Sequence, residues 1–310
     1  MRRSAGEHDR PSGRSGRPLR SVSHFSMVSA GIYVLDLERG EERSLVPDEF
    51  QNKYPSFSPD GRHVVYTSWR NPHDRSGVWM VDPASGRETR LVSDRFDNAF
   101  PSWSPDGERV LFSTWRNDTN EDGRIDLQDN SELRIVEVRT QVERTLVEDR
   151  WNNMYAAWSP DGQRVAYLSR RRDTNGDGRI DSLDNCGLYV IEVDSRKERG
   201  VVPDSRYTKF PSFTPDGKSL AYLSSPEAGQ KAGYFDVKGV YLVDLSGKRE
   251  RRVVSDEHFG CRHPVISPTG NSLAYLSWAQ TSNRGIFLAD ISGSPTPEKL
   301  KAILLHNLPN

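Results

Sequence analysis

The sequence is short of several features on which whole classes of protein depend. Its 2 cysteines, Cys186 and Cys261, are too few for a disulfide framework in 310 residues. Its apolar runs are no longer than a strand, so no segment is predicted to span a membrane. The Gly-x-Ser-x-Gly element of serine hydrolases is missing, and the 7 histidines have no metal-ligand spacing. A formal net charge of −1 gives no general attraction to nucleic acid.

What the chain does contain is one unit repeated five times. Each copy opens with a short strand and a tight turn, continues with two apolar strands, and ends in an acidic residue and a charged turn. The opening blocks are KYPSFSPDG from Lys53, AFPSWSPDG from Ala99, MYAAWSPDG from Met154, KFPSFTPDG from Lys209 and RHPVISPTG from Arg262. Without its insertions the unit has about 40 to 45 residues, the length of a four-stranded propeller blade.

The Ser-Pro-Asp-Gly element predicts a tight turn, because proline presets the second position and Asp and Gly suit the third and fourth. We therefore interpret its acidic residues as turn formers and not as catalytic groups: Asp60, Asp106, Asp161 and Asp216. The residue before each turn is expected to pack between neighbouring blades. It is aromatic in four copies and aliphatic in the last: Phe57, Trp103, Trp158, Phe213 and Ile266.

These blocks resemble the PD40, or WD40-like, repeat of TolB-type β-propellers, over about residues 28 to 303. The resemblance implies an all-β, six-bladed propeller of four-stranded antiparallel blades in an extracytoplasmic bacterial protein that binds proteins or cell-envelope components. The fold alone does not specify a function, since propellers include adaptors and enzymes.

The ends of the chain complicate this picture. Residues 1–20 are rich in Arg, Gly and Ser and are predicted to be a disordered tail, followed by a single propeller domain over residues 21–310. A lone strand, IYVLDLERGEE from Ile32, leaves the first blade incomplete. We expect Ser21–Val28, the segment from Leu300, or both to complete the sixth blade; alternatively the chain is truncated. No signal peptide is visible, so a cytoplasmic location stays open beside the periplasmic or extracellular one.

Two stretches, DTNEDGRIDLQD from Asp118 and DTNGDGRIDSLD from Asp173, match the twelve-position loop that wraps a calcium ion. Positions 1, 3, 5, 9 and 12 offer side-chain oxygens, position 7 its carbonyl, and position 6 is glycine. The predicted ligands are Asp118, Asn120, Asp122, Arg124, Asp126 and Asp129 in the first loop, and Asp173, Asn175, Asp177, Arg179, Asp181 and Asp184 in the second. Position 12 is Asp and not Glu, so the loops look like the dockerin-type variant.

The flanks of these loops indicate what the calcium does. Strand-like apolar segments stand on both sides of each loop, without helical periodicity. The loops are therefore predicted to be insertions between two antiparallel strands. Without helices to swing apart, we expect Ca²⁺ at two structural sites and not at a sensor.

The segments before each blade are the predicted binding surface. Their aromatic and amide residues recur on one rim of the channel: Phe50, Asn52, Phe96, Asn98, Trp151, Asn153, Tyr207 and Phe259. Aromatic anchors beside polar groups suit a protein or peptide partner. The alternative is that each Asn caps its turn and the aromatic packs beneath it, because features repeated in every blade are mostly structural.

Two functions of different class remain open from the sequence. The first is a non-catalytic, calcium-stabilised scaffold that binds a protein or other ligand. The second is a propeller enzyme, a lyase or hydrolase with its active site at the central channel. The second predicts a cluster of histidines or carboxylates that converges on the channel axis.

Overall fold

The computed structural model describes residues 30–36, 41–47, 49–70, 75–92, 94–181, 184–225, 239–255, 262–278, 284–291 and 301–303. The elements of secondary structure in this part of the chain are all β-strands, and they form antiparallel sheets. Within these residues no helix is long and apolar enough to cross a membrane.

The sheets follow the sequence repeat. A two-stranded sheet comes first, made of β1 (Ile32–Asp36) and β2 (Glu41–Val46). Five four-stranded sheets follow, which we number as blades 1 to 5. The strands of blades 1 to 3 are β3 (Gln51–Phe57), β4 (Val64–Trp69), β5 (Gly77–Val81), β6 (Glu88–Val92), β7 (Asp97–Trp103), β8 (Arg109–Trp115), β9 (Glu132–Glu137), β10 (Glu143–Val147), β11 (Asn152–Trp158), β12 (Arg164–Arg170), β13 (Gly187–Glu192) and β14 (Glu198–Val202). Those of blades 4 and 5 are β15 (Thr208–Phe213), β16 (Ser219–Ser224), β17 (Gly239–Asp244), β18 (Glu250–Ser255), β19 (Arg262–Ile266), β20 (Ser272–Trp278), β21 (Arg284–Asp290) and β22 (Lys301–Ile303).

The prediction of six blades is wrong, because the structure shows a five-bladed propeller with a two-stranded sheet beside blade 1. Strand β22, near the C-terminus, pairs antiparallel with β21 and so completes blade 5. It is therefore not available to the sheet of β1 and β2. The segment Ser21–Val28 and residues 1–20 lie outside the described residues.

Neighbouring blades are held together by the residue that precedes each turn, as the sequence predicts. Trp103 of blade 2 packs against Val65 and Val78 of blade 1 and is 7% exposed. Trp158, Phe213 and Ile266 occupy the same position in the next three blades and are also buried. Phe57 of blade 1 is the exception, at 55% exposure.

The Ser-Pro-Asp-Gly segments form the predicted turns. In blade 1 the Gly61 N–H donates to the Ser58 carbonyl at 2.9 Å, and Gly61 has a φ of 70°. The Ser58 hydroxyl donates to the Asp60 carboxylate at 2.6 Å, and this hydrogen bond lowers the pKa of Asp60 below its ordinary value. The acidic residue thus stabilises its own turn, which is the predicted role.

Candidate functional site

Each blade carries a β-bulge in its first strand, the strand nearest the channel. In blade 1 the pairing of β3 with β4 shifts between Lys53 and Ser56, so that one extra residue is inserted into β3. The same shift occurs at the equivalent place in the other four first strands. A bulge re-aims the side chain at which it occurs, and bulges are common beside active and binding sites.

The bulge residue is aromatic in four blades and has a left-handed backbone. Tyr54, Phe100, Tyr155 and Phe210 have φ values of 59°, 58°, 53° and 51°. A positive φ is a true outlier for a bulky residue and costs on the order of 1–3 kcal/mol at each site. The next residue is proline in three of the four blades, where the missing N–H fits a position at which the ladder is interrupted.

The four aromatic side chains meet around the channel, and we call them the axial ring. The ring centroids of Tyr54 and Phe100 are 4.4 Å apart, those of Phe100 and Tyr155 4.5 Å, and those of Tyr155 and Phe210 4.8 Å. The axial ring lines a cavity of about 620 Å³ together with Lys53, Pro55, Pro101, Ala156, Pro211, Ser212, Pro264 and Val265. All four ring residues are half-buried, so part of each ring faces the cavity.

The chemistry of this cavity favours binding by contact with apolar groups. Aromatic rings and prolines make up most of the wall, and the polar groups are the phenols of Tyr54 and Tyr155, the hydroxyl of Ser212 and the ammonium of Lys53. A cavity of this size, mostly apolar with few polar groups, is typical of ligand sites. The lining residues that the structure describes include no carboxylate and no imidazole.

Sequence reasoning missed the axial ring, although its signal was present. An aromatic residue stands at the same place in four copies, directly before proline in three of them. A strand of alternating residues containing proline is easily interpreted as an edge strand, and a positive φ at Tyr54 or Phe100 cannot be read from the sequence. The available signal was the recurrence of a bulky residue before proline, three positions before the residue that precedes the turn.

The predicted rim asparagines lie in the interior of their own loops. Asn98 is fully buried and donates through Nδ2 to the Asp94 carboxylate at 2.8 Å and to the Phe96 carbonyl at 2.9 Å. Asn153 makes the same two hydrogen bonds, with Asp149 and Trp151. Asn52 donates to the carbonyls of Pro47 and Phe50. These amides therefore cap the segments that lead into the first strands.

The predicted rim aromatics lie closer to the surface. Phe50, Phe96, Trp151 and Tyr207 are half-buried, and a cation stacks on each ring. The Arg150 guanidinium, for example, lies 4.4 Å from the Trp151 ring centroid. Phe259 lies outside the described residues. None of these four aromatics lines the cavity of the axial ring, although the Lys209 ammonium lies over the rings of both Tyr207 and Tyr155. Their role in binding stays a prediction.

The two acidic loops occupy the predicted places. Residues 118–129 connect β8 to β9 and residues 173–184 connect β12 to β13, in both cases between antiparallel strands of one blade. Their backbones are alike: Asp118 accepts hydrogen bonds from the N–H groups of Asp122 and Gly123, and Asp173 accepts them from Asp177 and Gly178. Gly123 and Gly178, at position 6, have φ values of 81° and 85°.

Position 12 holds each loop closed. The Asp129 carboxylate is 1% exposed and accepts hydrogen bonds from the N–H groups of Thr119, Asn120 and Asp126. Asp184 does the same in the second loop. Oxygen donors and the glycine turn fit Ca²⁺ in type and backbone shape. Within the described residues, however, no group of three or more His, Cys, Asp or Glu side chains is placed to hold a metal ion.

Comparison with known proteins shows the fold, and the curated relatives match only part of the chain. No family model matches the chain. It is 31% identical over 137 residues to Dipeptidyl-peptidase 5 of Porphyromonas gingivalis, which is 43% of this chain and 17% of that protein. It is 29% identical over 97 residues to the Tol-Pal system protein TolB of Francisella tularensis subsp. mediasiatica, which is 31% of this chain and 18% of TolB. These matches span less than a fifth of either relative.

Solved structures agree on a TolB-like propeller. A putative TolB from Agrobacterium tumefaciens has a TM-score of 0.67 and 18% identity, covering 89% of this chain and 88% of that one. An oligogalacturonate lyase in complex with manganese has a TM-score of 0.59 and 18% identity, covering 86% and 70%. Identities this low establish the architecture alone, which non-enzymes and enzymes share.

Proposed function

We propose that this chain is a non-catalytic propeller that binds an apolar segment of a protein or peptide partner at the axial ring. The observation that carries the proposal is the placement of Tyr54, Phe100, Tyr155 and Phe210 on four equivalent bulges with positive φ. Such strain is expected where a side chain is needed in a particular direction. Aromatic and proline walls suit an apolar or proline-containing peptide, as in other peptide-binding grooves.

The charged group at the cavity indicates how a partner segment would be oriented there. Lys53 lines the cavity and is exposed, so its ammonium can meet a carboxylate of the partner. Similarity to TolB, a protein of the Tol-Pal system by name, supports a binding role for the same architecture. We further propose an extracytoplasmic location, supported by the resemblance of the repeat to TolB-type propellers and by loops that suit a calcium-rich compartment.

Calcium is the second part of this proposal. We propose that the loops 118–129 and 173–184 bind one Ca²⁺ each through their oxygen donors and that the ions brace blades 2 and 3. The support is the donor set, the shared backbone and the two glycines at positive φ. An ion bound there would offset repulsion among the carboxylates of each loop.

A propeller enzyme is the competing function. The match to a dipeptidyl-peptidase and the likeness to a lyase solved with manganese favour it. The described cavity wall supports it less, since one ammonium, two phenols and a hydroxyl are its polar groups. General acid–base chemistry of a lyase or hydrolase would need ionisable groups within hydrogen-bond reach of the reacting atoms.

The test begins with a random peptide library displayed on phage and selected against the whole chain. Affinity of the selected peptides is then measured for two double variants, Phe100→Asn with Phe210→Asn, and Phe96→Ser with Trp151→Ser. Asparagine tolerates a positive φ, so the first variant removes the rings and keeps the backbone. We expect at least a tenfold loss of affinity for the first variant and less than twofold for the second. The reverse order would move the site to the predicted rim.

A further inference from the structure

The two-stranded sheet of β1 and β2 has the same internal structure as the outer half of blades 1 to 4. In β1 and β2, Ile32 pairs with Val46 and Tyr33 with Ser44, with a bulge between Ile32 and Tyr33. In blade 1, Val78 of β5 pairs with Val92 and Trp79 with Arg90, with the bulge at the same place. The sheet therefore matches the third and fourth strands of a blade, residue for residue.

The sheet is also anchored like the outer half of a blade. Ile32, Leu45 and Val46 are buried against Val64, Tyr66 and Val81 of blade 1. One edge of β1 pairs with β2, and no other described strand pairs with its second edge. In the complete blades that second edge is taken by the second strand, as β4 takes the edge of β5. An edge that no described strand covers, such as IYVLD, is a template for another extended segment.

The side chains beside this edge indicate which residues a partner segment needs in order to bind there. In three blades an arginine at the end of the second strand binds a glutamate of the fourth strand. The pairs are Arg70 with Glu88, Arg116 with Glu143 and Arg171 with Glu198, each at 2.7 Å. The sheet register places Glu42 at the same position, opposite Leu35 as Glu88 is opposite Val81. Among the described residues Glu42 has no ion-pair partner.

Two of these arginines also stack on an aromatic ring of the third strand. Arg70 lies 3.8 Å from the Trp79 ring centroid, and Arg171 lies 3.8 Å from that of Tyr189. Tyr33 occupies this position in β1 and is 52% exposed. Glu42 and Tyr33 thus take the places of the two groups that one arginine contacts at once in blade 1 and in blade 3.

The second strands of these three blades also share an aromatic residue four positions before the arginine. Tyr66, Phe112 and Tyr167 hold this position and are fully buried, and the Tyr66 hydroxyl donates to Glu88 at 2.7 Å. None of the segments outside the described residues contains an aromatic residue followed four positions later by arginine. A segment that carries both features is therefore not among them.

We propose that β1 is a docking edge at which an extended segment of a partner protein, with the pattern aromatic-x-x-x-Arg, adds as a third strand. The backbone of the segment pairs antiparallel with Ile32–Asp36, and its arginine stacks on Tyr33 and pairs with the Glu42 carboxylate. Main-chain hydrogen bonds supply affinity in this kind of recognition, and the side chains supply specificity. The site is separate from the axial ring, so it stands or falls independently of the proposed function.

The probe is a fluorescent peptide with the sequence RVAYLSRR, which is residues 164–171: strand β12 and the one residue after it. Its binding to the full chain is measured by fluorescence anisotropy. We expect binding that weakens at least fivefold in Glu42→Gln and less than twofold in Glu41→Gln, since Glu41 is the next residue of β2 and faces the other way. The same peptide with its tyrosine changed to serine and its last arginine to glutamate should not bind.

Three results would overturn the proposal. The first is no binding of the peptide, or equal loss in the two glutamate variants. The second is a loss of affinity in Phe100→Asn, which would place the peptide at the axial ring. The third comes from hydrogen exchange of the full chain: the amides of Tyr33 and Leu35 face away from β2, and we expect them to exchange fast alone and slowly with peptide. Protection without peptide would mean that residues 1–29 or a second copy already cover β1.

Discussion

The ring of Tyr54 in blade 1 lies 4.4 Å from the ring of Phe100 in blade 2, and both residues have a positive φ next to proline. The contact joins two blades through residues whose backbones are strained in the same way. Because the strain recurs at Tyr155 and Phe210, it belongs to the repeat and not to one accidental turn. Neighbouring aromatic rings at this distance attract one another by about 0.5–1.5 kcal/mol, which offsets part of the cost.

Blade 3 has alanine where its neighbours have proline, and this gives a first prediction. Tyr155 has the same φ as the residues before proline in blades 1, 2 and 4, so Ala156→Pro should fit without strain. We expect it to raise the free energy of unfolding by about 0.4–1 kcal/mol, because it restricts the unfolded chain. Urea denaturation followed by circular dichroism measures the change.

The adjacent residue is the control. The Ser159 N–H donates to the Arg164 carbonyl, and the alternation of an antiparallel ladder then places Ala157 and Ala166 in a hydrogen-bonded pair. Ala157→Pro removes that donor, and we expect a loss of about 1–3 kcal/mol. Equal effects of the two prolines would contradict the assignment of the bulge.

The packing between blades gives a second prediction. Trp103 is buried against blade 1, and its replacement by alanine should cost about 3–5 kcal/mol. Phe57 has the equivalent position but is 55% exposed, so Phe57→Ala should cost less than about 1 kcal/mol. Denaturant titration of both variants decides, and a large loss in Phe57→Ala would show that this face is covered in solution.

The third prediction concerns calcium. At roughly 10 mM Ca²⁺ and a Kd of about 0.1 mM, each site should stabilise the fold by about 2.7 kcal/mol. We expect Ca²⁺ to raise Tm, Mg²⁺ to raise it less, and a chelator to reverse the rise. The double variant Asp118→Ala with Asp173→Ala should lose the response.

Gln128→Ala serves as the control for calcium, since Gln128 is exposed and takes position 11 of the first loop, which supplies no ligand. It should keep the full rise in Tm. A chain whose Tm does not respond to Ca²⁺ would mean that both loops are solvated acidic turns held closed by Asp129 and Asp184 alone.

The fourth prediction is a pH effect at the turns. The hydrogen bond from Ser58 lowers the pKa of Asp60 in the folded state. A carboxyl with a lowered folded pKa contributes stability above its unfolded value, and that contribution is lost as pH falls through the folded value. In Ser58→Ala we expect the pKa of Asp60 to rise toward its ordinary value, as measured by carboxyl NMR. The pKa of Asp82, lowered mainly by Ser85, should not change.

Local features of the fold were predictable, and non-local ones were not. The turns at Asp60 and its equivalents follow from proline and glycine chemistry within four residues, and the place of Trp103 between blades follows from its recurrence. Whether blade 5 is complete depends on which strand the three residues Lys301–Ile303 join, and nothing in their sequence favours blade 5 over the sheet of β1 and β2.

The candidate site divides in the same way. The acidic loops were located correctly because all their residues are contiguous. The predicted rim residues share composition with binding surfaces, but burial of Asn98 and Asn153 depends on hydrogen bonds that composition does not reveal. The axial ring requires four blades to converge, so its residues are brought together only by the packing of neighbouring blades.

One spectrum tests the central claim, that the axial ring is the binding site. The chain is labelled with 4-fluorophenylalanine, and the ¹⁹F resonances of Phe50, Phe96, Phe100 and Phe210 are assigned by single replacements. A peptide selected from the phage library is then titrated into the labelled chain. We predict that the resonances of Phe100 and Phe210 shift while those of Phe50 and Phe96 stay in place. Shifts at Phe50 and Phe96 with Phe100 and Phe210 unmoved would contradict the account.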